Sequence, residues 1–153
     1  MLVRGADESG ISYQLLRVAW LLFDFDKKTH TYGTDQELYE AEIHLIVAIK
    51  DNPGLHVAGL AQKFGVTKGA VSQLVQKLAK KGMISRQVAP DNQSRILLSL
   101  TGKGSVAYAG HAAVHAEFEA MVERVLASEP EEKQAFLKRF LCTMAHEIES
   151  RVR

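Results

Sequence analysis

The sequence predicts a mainly α-helical protein that carries one small β-hairpin. Over most of the chain, apolar residues recur every three or four positions, which is the period of an amphipathic helix. The exception follows Gly82, where two short apolar segments, 83–88 and 96–100, flank a polar stretch at 89–95 that is typical of a turn. With 153 residues, of which 46% are hydrophobic, the chain is long enough for one core, or for one core and a small appended module.

Two helices are predicted in the first third of the chain. The first runs over Ile11–Phe25 and is apolar around most of its circumference, so either this chain or a second copy has to cover it. The second is expected to begin at Thr34, because Thr34 and Glu37 have the spacing of a capping box. It should continue to Lys50 and end at Asn52–Gly54, where a proline and a glycine interrupt the helical pattern.

The segment Val57–Lys81 predicts two short helices joined by a tight turn at Gly65. Thr67 is expected to cap the second of these helices through its hydroxyl. Outside its apolar stripe this helix carries polar and basic residues and no acid, namely Lys68, Ser72, Gln73, Gln76, Lys77 and Lys80. Such a face suits the edge of a nucleic acid.

The predicted hairpin should lean on these helices, because an isolated two-stranded hairpin is marginal in water. Thr101 is expected to cap a long helix that ends near Ala127. Its glycines, Gly102, Gly104 and Gly110, are each expected to weaken the helix by about 1 kcal/mol relative to alanine. A last amphipathic helix restarts at 128–132, where acidic residues and a proline suit a helix N-terminus.

Charge divides the chain into two parts, although the net charge is only +1. The segment from His56 to Lys103 holds eight lysines and arginines and one acid, Asp91, which gives +7 and leaves −6 for the remainder. The basic part is centred on the helix pair, which favours a polyanionic partner over a merely solvated face.

The order of elements and three local motifs resemble the MarR family of bacterial winged-helix transcriptional regulators. The motifs are G-V-T-K-G-A-V-S-Q in the second helix of the pair, K-K-G-M-I-S-R after it, and D-x-x-S-R followed by L-S-L-T-x-K-G in the hairpin. The resemblance implies a winged helix-turn-helix at 34–100, with dimerisation helices at 1–33 and 101–153. It also implies a homodimer that represses transcription at a pseudo-palindromic operator, with the 67–81 helix in the major groove and the 84–100 hairpin, or wing, in the minor groove.

Base reading is assigned to Gln73, Gln76 and Lys68, since glutamine pairs with adenine and lysine with guanine. Contacts with the DNA backbone are assigned to Thr67, Ser72 and Lys77. The full predicted DNA-binding set is Thr67, Lys68, Gly69, Ser72, Gln73, Gln76, Lys77, Arg86, Asn92, Gln93 and Arg95.

The wing departs from the family pattern. Members commonly have Asp-x-Arg at its tip, whereas here Gln93 follows Asp91-Asn92 and the arginine is displaced to Arg95. Either Arg95 takes the minor-groove role, which we favour, or that contact is weaker. Arg86 either contacts DNA or pairs with Asp91, and Lys80 and Lys81 are either backbone contacts or solvated positions.

Small phenolic or other apolar effectors often bind between the dimer scaffold and the DNA-binding lobe in this family. The resemblance therefore makes a set of aromatic and polar residues candidates for such a cavity, although core packing is an alternative for each. These candidates are Tyr13, Trp20, Tyr39, His44 and Tyr108.

Other chemistry has weaker support. Hydrolytic and nucleotide-binding motifs are absent, so an enzyme is not expected. His111 and His115 have the i, i+4 spacing of a metal pair, but two ligands do not make a site, so no metal or cofactor is predicted. The single cysteine, Cys142, excludes an intramolecular disulfide and is expected to pack in the core or an interface.

The N-terminus lacks the apolar run of a secretory signal, and the longest apolar run, at 18–23, is too short for a membrane span. These features predict a cytoplasmic protein. The alternative to DNA binding is a winged-helix module for protein contacts that docks through its N-terminal apolar helix, but such a module needs no basic field.

Overall fold

The computed structural model describes residues 10–27, 30–54, 56–89 and 92–152, without the side chains of residues 25–27, 89 and 92–95. Two compact units meet within the fifth helix, one up to Ala112 and the other from Ala113. No helix in these ranges is both long and apolar enough to cross a membrane. The elements in chain order are α1 (Ile11–Lys27), α2 (Glu40–Asp51), α3 (Val57–Phe64), α4 (Lys68–Lys80), β1 (Ile84–Ala89), β2 (Asn92–Leu100), α5 (Gly102–Leu126) and α6 (Glu131–Val152). This architecture confirms the predicted fold class.

The beginning of α2 differs from the prediction, because the helix begins at Glu40 and not at Thr34. The hydroxyl of Thr34 instead closes a local turn, donating to the carbonyl of Thr31 at 2.7 Å and accepting from the backbone N–H of Gln36 at 3.2 Å. The carboxylate that reaches back over the helix N-terminus belongs to Glu42, whose Oε2 accepts from the N–H of Tyr39 at 2.9 Å. The spacing of Thr34 and Glu37 therefore marks a turn and not the beginning of a helix.

The predicted helix pair is confirmed. Gly65 ends α3 in the left-handed conformation, with φ of 65°, which is the geometry that favours glycine. Thr67 caps α4, because its Oγ1 accepts from the backbone N–H of Ala70 at 3.2 Å. The chain therefore leaves α3 and enters α4 through a turn that its own residues specify.

The hairpin is antiparallel, with Ile84 opposite Leu100 and Val88 opposite Ile96. The next pair is Ala89 with Asn92, so the register shifts at this point. The predicted turn at 89–95 is wrong for its second half, since β2 begins at Asn92. A two-stranded hairpin does not have two covered faces, so polar residues do not exclude a strand there.

The core of the first unit lies between α2, α3, α4 and the base of the hairpin. Its apolar members come from each of these elements, which confirms that the hairpin leans on the helix pair. The largest fully buried side chains are Leu38, Ile43, Leu45, Ile46, Leu60, Leu78, Met83 and Val71.

α5 begins as predicted, with the Oγ1 of Thr101 accepting from the N–H of Gly104 at 3.0 Å. The interpretation of its glycines as simple weak points is wrong for two of them. A Cβ atom at Gly104 would collide with the main-chain carbonyl of Met83, and one at Gly110 would collide with that of Tyr32. Both glycines allow the backbone of α5 to approach another segment closely.

Two helices present large apolar side chains to solvent. Leu16, Trp20 and Phe23 of α1 are exposed, as are several other apolar residues of this helix. α6 has no buried residue. Cys142 of α6 is exposed too, so the expectation that it packs in the core is wrong and packing in an interface stays a prediction.

Candidate nucleic-acid interface

The exposed face of α4 is the centre of the candidate site. Val71, Val75 and Leu78 fall at i, i+4 and i+7 and are buried, so they hold one side of the helix against the core. Leu74 and Ala79 are partly buried against the same core, and the polar positions face outward. Thr67, Lys68, Gly69, Gln73, Gln76 and Lys77 are exposed, and Ser72 is half-buried.

A groove of about 390 Å³ runs between α4, the start of α3 and the hairpin. Lys68, Ser72 and Gln76 line it from α4, and Arg86 lines it from β1. The structure therefore brings four of the predicted DNA-binding residues to one cavity, because the hairpin folds back beside α4. The floor is apolar and consists of Val57, Ala58, Val75 and Ile96.

His56 also lines this groove and was missed by the sequence analysis. It stands at the N-cap position of α3 without a side-chain capping bond, and it is exposed. A single histidine in front of a helix carries no distinctive pattern, and only the return of the hairpin shows that it lies beside Lys68 and Arg86.

The tip of the wing lies outside the described side chains. This concerns Asn92, Gln93 and Arg95, whose backbones belong to β2, and Asp91, the proposed partner of Arg86. The role of Arg95 and the choice between DNA and Asp91 for Arg86 stay predictions.

Two of the eight cations in the basic segment are bound to acids outside it. Lys81 Nζ lies 2.7 Å from Oε2 of Glu42, and Lys103 Nζ lies 2.7 Å from Oδ1 of Asp35. The interpretation of Lys81 as a solvated position is wrong, since Glu42 binds its ammonium group, and a contact of Lys81 with DNA stays a prediction. Lys68, Lys77 and Lys80 stay on the exposed face of α4.

The Lys103 ion pair changes the titration of its partner. The hydrogen bond from Lys103 is the main cause that lowers the pKa of Asp35 below its ordinary value of 3.8. Lys103 thereby ties the first turn of α5 to the loop that precedes α2.

The candidate effector residues have separate surroundings. The hydroxyl of Tyr108 donates to Oδ1 of Asp51 at 3.0 Å, and this bond raises the pKa of Tyr108. Tyr39 lies beside Lys81, whose Nζ is 5.6 Å from the centre of its ring. His44 lines an apolar cleft of about 280 Å³ that reaches Val71 and Leu74 of α4. Tyr13 is half-buried and Trp20 exposed on α1. An effector role for any of them stays a prediction.

Imidazole groups gather near the middle of α5. The ring of His111 lies 5.8 Å from that of His44 and 5.6 Å from that of Tyr32, both nearly perpendicular to it. Nδ1 of His44 is 4.0 Å from Oε1 of Glu40. Within the described residues, no group of three or more histidine, cysteine, aspartate or glutamate side chains is arranged to hold a metal ion.

Comparison with known sequences finds a family profile that matches α2, the helix pair and part of the hairpin. The profile described as the MarR family matches residues 40–96. A relative from Bacillus subtilis (strain 168), named the uncharacterized HTH-type transcriptional regulator YhjH, is 29% identical over 101 residues, which are 66% of this chain and 58% of the relative. The chain thus spans less than two thirds of the length of the curated relatives that it matches.

Comparison with solved structures extends over nearly the whole chain. Streptococcus pneumoniae FabT in complex with DNA has a TM-score of 0.73 and 23% identity, over 94% of this chain and 99% of FabT. Lactococcus lactis ZitR in complex with DNA has a TM-score of 0.72 and 19% identity, over 92% of this chain and 99% of ZitR. ZitR is also described as a zinc-responsive MarR family member. At these identities the likeness shows a shared fold.

Proposed function

We propose that this chain, whose residues 40–96 match the profile of the MarR family, is a homodimeric, sequence-specific DNA-binding regulator of transcription that acts as a repressor. The observation that carries the proposal is the acid-free exposed face of α4, which borders the groove shared with Arg86 of the hairpin. Solved complexes of FabT and ZitR with DNA, which share this fold, support it.

The dimensions and side chains of α4 suit the major groove. The helix has 13 residues, and its polar side chains are two amides, one hydroxyl and three ammonium groups. Gln73 and Gln76 offer the paired donor and acceptor that adenine requires, and Lys68 offers donors to guanine. Thr67, Ser72 and Lys77 would contact the phosphates, together with the N–H groups at the start of α4.

The hairpin would reach the adjoining minor groove. Arg86 lies on β1 at the wall of the groove, where its guanidinium adds positive charge next to Lys68. The predicted contacts further along the wing are Asn92, Gln93 and Arg95. A narrow minor groove attracts arginine because its negative potential is high.

The proposed two-fold symmetry concerns the helices outside the reading lobe, which is the part of the chain formed by α2, α3, α4 and the hairpin. The exposed apolar side chains of α1 and the absence of buried residues in α6 support a partner for both helices. A second copy of the chain would supply that partner and a second α4. Two α4 helices would read half-sites about one helical turn apart, so the operator should be a pseudo-palindrome.

A gel shift with the DNA upstream of the protein's own gene tests the proposal. We expect a shifted complex whose log affinity falls by roughly 0.9 for each neutralised phosphate per unit of log salt. The absence of a complex at low salt, with folded dimer present, would contradict DNA binding. Affinity that does not change between low and physiological salt would contradict the electrostatic account.

Control by a small effector is the finer part of the proposal, and a divalent metal is one effector class with a specific observation behind it. Two imidazoles that bind one zinc at about 2.0–2.1 Å have ring centres about 5 Å apart, close to the 5.8 Å between His44 and His111. Nδ1 of His44 lies 4.0 Å from Oε1 of Glu40, which is beyond hydrogen-bond distance. Among the described residues, these two histidines have no third ligand arranged beside them to hold a zinc ion.

The metal is tested by titrating Zn²⁺ into the gel shift and into a thermal melt without DNA. We expect both the affinity for DNA and the melting temperature to change in wild type, and neither to change in His111→Gln. A response that survives in His111→Gln would remove this histidine pair from the proposal and leave a small apolar effector as the expected class.

A further inference from the structure

Glu42 is a buried charge in the reading lobe. Only 3% of its surface is exposed, and it is the single buried charged residue among those described. Its Oε2 accepts two hydrogen bonds, from the backbone N–H of Tyr39 at 2.9 Å and from Nζ of Lys81 at 2.7 Å. Because a buried carboxylate without partners is strongly destabilising, these bonds fix where both partners lie.

Lys81 is held from other directions as well. Its Nζ donates to the main-chain carbonyl of Glu37 at 2.7 Å and lies 5.6 Å from the centre of the Tyr39 ring. The ammonium group thus has two oxygen acceptors and an aromatic face around it. A lysine side chain is ordinarily mobile, so this arrangement defines its position unusually well.

The pair connects the ends of two helices. Glu42 is in the first turn of α2, where the helix dipole favours an anion, and Lys81 is the C-cap of α4, where the dipole favours a cation. The next residue, Gly82, has φ of 73° and turns the chain toward the hairpin. The pair therefore fixes, against α2, the point where α4 ends and the hairpin begins.

The apolar side of α4 constrains the helix in a different way. Val71, Val75 and Leu78 keep it against the core, but apolar contact is not directional and tolerates small slides and rotations. A hydrogen-bonded ion pair at 2.7 Å does not tolerate them. Hydrophobic burial thus accounts for the attachment of α4 to the core. The ion pair accounts for the rotation of α4 about its axis and for its position along that axis.

We propose that Glu42 and Lys81 are positioning residues for DNA recognition, which hold α4 in the register that directs Gln73 and Gln76 toward the bases. This inference rests on the proposed function. The pair acts through α4 and contributes to the discrimination between DNA sequences, whereas general affinity comes from backbone contacts such as that of Lys77.

Apolar replacement of the whole pair separates positioning from stability. Lys81→Met and Glu42→Met each leave one buried polar partner behind and should destabilise the fold. The double variant removes both charges and should regain most of the lost stability, because a buried ion pair replaced by apolar groups of similar size is often neutral. Lys133→Met is the matched control, since it removes an exposed ion pair with Glu129 at 2.9 Å.

The readout is the ratio of affinities for two duplexes, one selected by wild type from a random pool and the other a scrambled version of it. We expect the double variant to unfold near the wild-type urea concentration, to bind the scrambled duplex as wild type does, and to lose at least tenfold in the ratio. Lys133→Met should keep the full ratio. A double variant with wild-type stability and the wild-type ratio would overturn the positioning role.

A conservative variant decides the question if the double variant does not fold. Glu42→Gln keeps an oxygen acceptor for Tyr39 and Lys81, so it should retain most of the ratio that Glu42→Met loses at a temperature where both are folded. Equal ratios in the two variants would overturn the proposal. If wild type selects no sequence at all, the proposed function fails, and the positioning role fails with it. If wild type is selective and the variants keep its ratio of affinities, the positioning role alone is refuted.

Discussion

Gly104, in the first turn of α5, lies against the main-chain carbonyl of Met83 at the base of the hairpin, so closely that a Cβ atom would collide with the oxygen. The same carbonyl accepts from the N–H of Thr101 at 3.0 Å, and the hydroxyl of Thr101 donates to the neighbouring carbonyl of Gly82 at 2.6 Å. α5 therefore docks on the hairpin through its backbone, and this contact depends on the absence of a side chain at residue 104.

Helix propensity alone predicts that alanine at position 104 stabilises the protein, whereas we expect it to destabilise the protein. We expect Gly104→Ala to lower the free energy of unfolding by about 1–3 kcal/mol, because the added methyl group forces α5 away from the hairpin. Gly102→Ala is the control, since a Cβ atom there meets nothing within 4 Å. It should leave stability unchanged or raise it by up to about 1 kcal/mol. Urea unfolding of the two variants measures the difference, and equal effects would contradict the close contact.

The cap of α4 gives a second stability prediction. Thr67→Ala removes the bond to the N–H of Ala70 and should lower the free energy of unfolding by about 1 kcal/mol. Thr67→Ser keeps the hydroxyl and should retain most of the stability. Thermal or urea unfolding checks both variants. A serine variant as unstable as the alanine variant would show that the threonine methyl group, and not the cap, is what matters.

Features that depend on neighbouring residues could be predicted from the sequence. The turn at Gly65, the caps at Thr67 and Thr101 and the exposed face of α4 follow from local spacing, and the structure has each of them. The resemblance to the MarR family was recognisable for the same reason, since the motifs that carry it are contiguous.

Features that depend on partners distant in the sequence could not be predicted in this way. The acids that bind Lys81 and Lys103 lie near α2, outside the basic segment, so the charge count overstated the cations available to DNA. The glycines of α5 looked like defects of a helix because their contacts, Met83 and Tyr32, are remote in sequence. The extent of β2 was underestimated because polar composition does not distinguish a turn from a hairpin that extends beyond the core.

Gln76 and Lys77 are neighbours on α4 with different expected roles. Gln76→Ala should relax base preference, because it removes a donor and acceptor pair at the wall of the groove. Lys77→Ala should lower affinity for all sequences alike and reduce the salt dependence by about one phosphate contact. Competition binding with single-base operator variants at several salt concentrations measures both. The reverse pattern would show that the reading face of α4 is assigned wrongly.

The Asp35–Lys103 pair predicts a titration at low pH. Lys103 lowers the pKa of Asp35 below 3.8, so the charged form is favoured in the folded chain. The contribution of the pair to stability is therefore present above that value and is lost as the pH falls through the lower pKa of the folded state. An NMR titration of the Asp35 carboxyl carbon should show the lowered pKa in wild type and its return toward 3.8 in Lys103→Met. No difference between the two proteins would contradict the pair.

The exposed apolar side of α6 gives a prediction about assembly. Its large apolar residues recur at helical spacing, and none is buried within the chain. These residues include Phe136, Leu137, Leu141, Met144, Ile148 and Val152.

A lysine placed within this stripe should break a homodimer, because burial of an unpaired charge in an apolar interface is costly. We expect wild type to have twice the chain mass of 16.9 kDa by light scattering, and Leu141→Lys to shift toward a single chain mass at micromolar concentration. His146→Lys adds the same side chain on the other side of the helix and should stay dimeric. A monomeric wild type, or equal dissociation of both variants, would contradict an interface on this face. Leu141→Lys should also lose the high-affinity operator complex while each chain stays folded, because two α4 helices are needed to read two half-sites.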